Sequence, residues 1–149
     1  MYSILIMGIG GDGAQTIGKI LAIACELEGY AVSFYPFYGS QMRGGESSCV
    51  IKIDTEKEII NNPTLNKADY FLVLNDAYLN TYGRYQKKNT KILTLSSEEK
   101  AEKNFNLIMF RKFAMEVNLF KKVTVENAIA IKFHKNNKED SYHESCTIL

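Results

Sequence analysis

Apolar residues first gather in a short unbroken run, Tyr2–Met7, that stops at Gly8, the pattern of a buried strand. A glycine-rich turn, Gly8–Gly13, follows. From Ala14 to Gly29 the spacing becomes helical, with Ile17, Ile20, Leu21, Ala24 and Leu27 on one face and Gly29 as the C-terminal stop. Ala31–Tyr35 reads as a second strand, closed by Pro36. Strand, helix and strand span about 35 residues, the least that makes a parallel pair with a helical crossover.

Pro36–Ser48 is polar and glycine-bearing and reads as a long loop. Cys49–Ile53 alternates and reads as a strand, with Glu58–Ile60 a segment to pair beside it and Asn62-Pro63 a turn. Asp69–Leu74 is the strongest internal strand. Ala77–Tyr85 is expected to be a helix and Lys91–Leu95 another short strand. Ser96-Ser-Glu-Glu has the form of a helix start. Asn106–Phe120 carries a helical stripe (Leu107, Phe110, Ala114, Val117, Phe120), with Lys121-Lys122 expected to end it. Thr124–Phe133 is a further helix with Thr124 as its cap, and 134–149 is a polar tail expected to be mobile. Strands alternating with helices predict one α/β domain over 1–133. It is expected to be three-layered and Rossmann-like, with a largely parallel sheet and helices on both faces.

Composition narrows the possibilities. The chain has 149 residues, a net charge of +1, 46% apolar and 23% charged residues, which excludes global disorder and collagen-like repeats. That length is short for an enzyme that must hold both a cofactor and a substrate. The balanced charge gives no reason to expect nucleic acid as a partner. It hides an asymmetry: residues 1–83 carry 5 Lys/Arg against 9 Asp/Glu, and residues 84–149 carry 13 against 8. Cys25, Cys49 and Cys146 are odd in number and unpaired in sequence, a reducing-compartment pattern. No CxxC occurs, so no iron–sulfur ligand set is expected within this chain.

The start of the chain lacks a basic segment, and no apolar run approaches the roughly 18–20 residues that span a bilayer, so a cytoplasmic protein without membrane contact is expected. His143 and Cys146 are too few to make a metal site. Cys146-Thr-Ile-Leu has the outline of a prenylation box, but Thr147 is not aliphatic. No acid–base constellation stands out, so no catalytic residue is assigned; both histidines, His134 and His143, lie in the tail.

Two glycine segments carry the candidate chemistry. Gly8-Ile-Gly10-Gly11-Asp12-Gly13 matches the dinucleotide fingerprint, in which glycines allow close backbone approach and a helix N-terminus faces an anion. Two features oppose NAD. The stretch Ser33-Phe-Tyr-Pro-Phe lacks the acid that would hold the ribose, and Asp12 places a negative charge inside the turn. A tight turn whose glycines serve packing, a phosphate-bearing ligand such as coenzyme A, and contact with a partner subunit all remain open. The second segment, Tyr35 to Ser48, combines Phe37, Tyr38, Met42, Arg43, Gly44 and Gly45. Arg43 is suited to a carboxylate or phosphate, and Phe37, Tyr38 and Met42 have the composition of an interface. The same residues would also suit a loop folded over its own domain.

The two segments in this order resemble the gamma subunit of the 2-oxoacid:ferredoxin oxidoreductases. The matching pieces are Gly8–Gly13, Ile20–Ala24, Gly29, Pro36–Gly39, Arg43–Ser47, Pro63 followed by Ala68–Leu74, Asn106–Phe110 and Leu119–Ile129. The chain departs from the family at Asp12, where glutamine is usual, and looks shortened between Leu95 and Asn106. The resemblance implies oxidative decarboxylation of a 2-oxoacid to acyl-coenzyme A with reduction of ferredoxin. Thiamine diphosphate and iron–sulfur clusters would be held mainly by companion alpha-, beta- and delta-type subunits, and the chain alone would be inactive. Gly8, Gly10, Gly11, Asp12, Gly13, Arg43, Gly44 and Gly45 are then the candidates for contact with coenzyme A or a partner. The alternatives are a free-standing nucleotide-binding Rossmann-like module and a scaffold subunit.

Overall fold

The computed structural model describes residues 1–38, 45–58, 60 and 65–147. Strand β1 (Tyr2–Met7) leads through the glycine turn into helix α1 (Ala14–Glu28), then β2 (Ala31–Tyr38) and β3 (Ser47–Asp54). Strand β4 (Ala68–Val73) is followed by β5 (Gln86–Leu93), and three helices close the chain: α2 (Ser97–Lys100), α3 (Phe105–Val117) and α4 (Lys122–Thr147). The strands form one sheet in the order β2-β3-β1-β4-β5.

The α/β class is as expected, but the sheet is mixed. β1 pairs with β4, and β4 with β5, in parallel, whereas β3 lies antiparallel between β1 and β2. Eight residues separate Tyr38 from Ser47. A parallel return needs a crossover of a dozen or more residues, so β3 turns back beside β2 instead. β1 and β2 still point the same way, as a helical crossover requires, but with one strand between them.

The helices also differ from expectation. Residues of α1, α3 and α4 join Ile4, Ile6, Cys49, Ile51, Ile53, Tyr70 and Leu72 in a single core, so all three pack on one face. Burial there is deep: Phe110 and Phe113 are wholly inaccessible, each contributing on the order of 2–3 kcal/mol. Gly18 lets α1 sit close; a Cβ there would fall 2.5 Å from the Phe34 ring and 2.9 Å from Cys49 Sγ. The opposite face has a smaller core around Leu5, Met7, Phe71, Val73 and Tyr82. No α-helix among the described residues covers it.

Several local expectations shift. Cys25 rather than Leu27 completes the buried face of α1, and Leu27 is exposed. Pro36 lies inside β2, where an edge strand tolerates the missing donor. The expected helix over Ala77–Tyr85 is two short 3-10 turns, Asp76–Tyr78 and Gly83–Tyr85. Asn75 caps the first by accepting from the Ala77 N–H, and Gly83 interrupts continuation. β5 starts five residues before Lys91, and its exposed lysines guard the sheet edge. Glu58 and Ile60 are not in a strand, and Asn62 and Pro63 fall outside the described residues. Ser96 makes the expected capping box with Glu99.

Lys121 and Lys122 do not end a helix. Asn118, in the left-handed region, ends α3, and Lys122 opens α4. Glu28 from the end of α1 caps that start: its Oε1 accepts from the Lys121 N–H at 3.0 Å and the Thr124 hydroxyl at 2.7 Å. Thr124 is therefore a residue of the first turn, held by Glu28, rather than the cap itself. The α4 backbone is helical to Thr147, past Phe133 where the apolar stripe ends.

The Lys121 N–H and the Thr124 hydroxyl hold the Glu28 carboxyl below its ordinary value. Such a group stabilises the fold above the unfolded-state value of 4.5, and that contribution is lost as pH falls through the lower folded value. Glu28→Gln is therefore expected to lower stability by about 0.5–1 kcal/mol at pH 7, as for a partly exposed cap. In denaturant titrations at stepped pH, the gap from the parent should close below pH 4.5.

Candidate functional site

The antiparallel insertion of β3 brings the two glycine segments together. The one-for-one register that pairs Ile6 with Cys49 continues past the end of β1, pairing Ile9 with Glu46. The Gly8 carbonyl accepts from the Ser47 N–H at 2.8 Å, and the Gly10 N–H donates to the Gly45 carbonyl at 2.9 Å. Residues 8–10 and 45–47 are thus one continuous ladder. Of the expected site residues, the structure joins Gly8, Gly10 and Gly45; Met42, Arg43 and Gly44 lie outside the described residues.

Asp12 serves the turn from within. Its Oδ2 accepts from the Ile9 N–H at 2.9 Å, while its own N–H donates to the Ile9 carbonyl at 3.0 Å. The Gly8 N–H is directed at Ser48 Oγ at 3.4 Å. The amides of Gly8, Ile9 and Gly10 are therefore all taken by the protein, unlike the open amides of a pyrophosphate cradle. Gly11 faces open space, and Gly13 precedes α1 with φ 87° and no side-chain cap. A Cβ on Gly13 would fall 2.5 Å from Asn106 Nδ2, so α3 presses on the turn from behind.

Sequence reasoning missed two polar residues. Gln15, in the first turn of α1, donates from Nε2 to the Ser48 carbonyl at 2.6 Å and Ser47 Oγ at 3.5 Å. Its Oε1 and the Oε1 of Glu46 are both buried without a hydrogen-bond partner. Burial raises the Glu46 carboxyl above its ordinary value, and a hydrogen bond from Ser48 opposes the rise. No sequence signal marks Glu46, since an acid among glycines and serines reads as loop; only the register puts it beside Ile9.

Phe37 is half-buried, its ring edge-on to Tyr82 with centroids 5.8 Å apart. Tyr38 is described only through its backbone, which pairs with Ser47. Burial pushes the thiols of Cys25 and Cys49 up to about 12, so neither is a ready nucleophile. Among the described residues no group of three or more His, Cys, Asp or Glu could hold a metal, and no helix is long and apolar enough to cross a membrane.

Fold and site together define an α/β domain with a glycine turn braced by a second glycine segment. The family model for pyruvate ferredoxin/flavodoxin oxidoreductase matches residues 3–134, and the chain belongs to that family. It is 38% identical over 77 residues to the ketoisovalerate oxidoreductase subunit VorA of Methanothermobacter thermautotrophicus, covering 52% of this chain and 16% of that one. The pyruvate oxidoreductase subunit PORC of Thermotoga maritima superposes with a TM-score of 0.69 at 16% identity, over 87% of this chain and 83% of that one. The 2-oxoglutarate:ferredoxin oxidoreductase of Magnetococcus marinus, solved with 2-oxoglutarate, coenzyme A and succinyl-CoA bound, gives 0.69 at 16% identity, over 91% of this chain and 27% of that one. At that identity the two structures establish the fold. The match spans 16% and 42% of the length of two curated relatives, the VorA subunit above and a 2-oxoglutarate synthase subunit KorC of Archaeoglobus fulgidus.

The raised Glu46 carboxyl gives a signed expectation. Its stabilising, protonated form is fully present below the unfolded value of 4.5 and is lost as pH rises through the folded value. Glu46→Gln is therefore expected to raise the melting temperature at pH 7 and to match the parent below pH 4.5, read by calorimetry across that range.

Proposed function

We propose that the chain is the gamma-type subunit of a 2-oxoacid:ferredoxin oxidoreductase. The complex would convert a 2-oxoacid and coenzyme A to acyl-coenzyme A and carbon dioxide, passing the electrons to ferredoxin. Companion alpha-, beta- and delta-type subunits would hold thiamine diphosphate and the iron–sulfur clusters, and the cytoplasm would be its place. The family match over residues 3–134 carries this reading. The ladder between Gly8–Gly10 and Gly45–Ser47 supports a positioning role, because it joins the two glycine segments at one end of the sheet.

In this reading the chain supplies backbone and charge rather than bond-making chemistry, which the cofactors of the complex provide. Gly11 presents the open side of the turn, and Arg43 is the cation for a phosphate of coenzyme A. Free-standing nucleotide binding is the weaker reading. The amides of Gly8, Ile9 and Gly10 are engaged internally, and β2 ends on Phe37 and Tyr38 rather than on an acid that would hold a ribose.

Reconstitution tests this. Coenzyme A-dependent ferredoxin reduction should require this chain alongside its companion subunits, and the chain alone should show no turnover of any 2-oxoacid. Within the complex, Arg43→Ala should raise the KM for coenzyme A roughly tenfold with little change in kcat. Turnover by the isolated chain would sink the subunit reading; an unchanged KM would retire Arg43 from coenzyme A binding.

A further inference from the structure

We propose that an open pocket on the helix-free face of the sheet is the socket for a companion subunit, which seats an apolar side chain in it and sets a carboxylate against Arg84. This rests on the subunit reading above and assigns the surface through which assembly occurs.

The floor of the pocket is one cross-strand row. Val50 of β3 stands directly opposite Tyr35 of β2 on one side and Leu5 of β1 on the other. The wall comes from the chain flanking β4, chiefly Tyr82 and Tyr85, whose rings lie 6.0 Å apart. The hollow measures about 400 Å³, within the usual range for recognition pockets. It lies at a step: the tyrosines of the 3-10 turns pack over Leu5, Val50 and β4, and beyond them Tyr35 stands 52% exposed on the edge strand. Among the described residues Leu5 and Val50 are buried and Tyr35 is the exposed end of the row, so the hollow opens beside an exposed aromatic, the kind of surface that other protein covers.

The rim specifies the charge of the occupant. Arg84 is the only charged residue among the described lining. Its guanidinium lies 4.8 Å from the Tyr85 ring centroid, and Nη2 donates to the Tyr85 hydroxyl at 2.8 Å. Both partners are neutral, and among the described residues no carboxylate is within ion-pair distance of it. Lys67 Nζ grips the Arg84 carbonyl at 2.7 Å, so the rim is held before any partner arrives. A stacked guanidinium that spends one donor on the Tyr85 hydroxyl keeps others for a carboxylate, and Tyr, Phe and Arg around one hollow are the composition of an interface hot spot.

The size of the relatives identifies the kind of occupant. A 77-residue stretch of this chain aligns with 16% of one longer chain, and the fold covers 27% of a second long chain and 83% of a third, separate subunit. In the longer chains the matched part is joined to further sequence of the same polypeptide; for a separate chain a companion subunit would take that place.

The test is native mass spectrometry of the chain co-expressed with its companion oxidoreductase subunits. Arg84→Glu and Tyr35→Glu alter exposed residues and should fold, as circular dichroism melting will show. Each is expected to weaken assembly roughly tenfold or more, whereas Met115→Glu, on the outer surface of α3, should assemble like the parent. Hydroxyl-radical footprinting of the unaltered chain gives the same answer without a variant: Tyr35 and Tyr85 should lose reactivity on assembly. Normal assembly of both variants, or undiminished reactivity of Tyr35, overturns the socket while leaving the subunit reading intact. An unaltered chain that joins no oxidoreductase subunit overturns both. Saturable binding of phenylacetate to the isolated chain, with the pocket tyrosines shifting in NMR and assembly unaffected by the variants, would make it a small-molecule site instead.

Discussion

The antiparallel insertion of β3 between β1 and β2 is the constraint on which the rest of the structure depends. Eight residues between β2 and β3 permit no crossover, so β3 turns back and takes the slot beside β1. From that pairing the register leaves no freedom: Ile6 opposite Cys49 obliges Gly10 to meet Gly45. A one-residue slip would turn Cys49, Ile51 and Ile53 away from the helices and expose them. The hydrophobic cost of that slip is what holds two distant glycine segments together. The glycine turn is therefore a consequence of core packing as much as a local motif. Asp12 completes it by satisfying the Ile9 amide from inside.

The same sheet divides the molecule into a finished side and an unfinished one. Helices α1, α3 and α4 seal one face, with Glu28 tying the end of α1 to the start of α4 and Tyr30 donating to the Leu119 carbonyl at 2.9 Å. On the other face, among the described residues, two 3-10 turns and their tyrosines pack over a smaller core formed by β4, β1 and Val50. The row Tyr35–Val50–Leu5 is left as the floor of an open pocket. A domain that braces a glycine turn, yet leaves Tyr35 exposed beside an open pocket, fits a protein that works inside an assembly.

Elements written in local periodicity were legible in the sequence. β1, β4 and α1 with its Gly29 stop appear close to where the pattern puts them, as does the Ser96 capping box. What depended on pairing between distant segments was not. The alternation of Cys49–Ile53 marks a strand but not its neighbour, so a mixed sheet read as largely parallel. Tyr78 and Tyr82, four residues apart, mimic a helical stripe, but they point together because both pack onto the sheet. Lys121 and Lys122 suit the end of a helix by charge, and nothing local shows that Glu28, 93 residues away, waits to cap the next one. Glu46, Arg84 and Tyr85 are invisible for the same reason: their significance lies in what the fold sets beside them. Phe37 suits an interface by composition; the structure sets its ring edge-on to Tyr82, partly buried beside the smaller core.

Hydrogen–deuterium exchange on the chain alone and within its assembled complex tests the central claim, that the helix-free face is completed by another subunit. The account predicts that backbone amides of β2 and of the stretch from Tyr82 to Gln86 become slower to exchange on assembly, while those of α3 keep their rates. Slowing confined to the outer surfaces of α1, α3 and α4, with no change in β2, would contradict it.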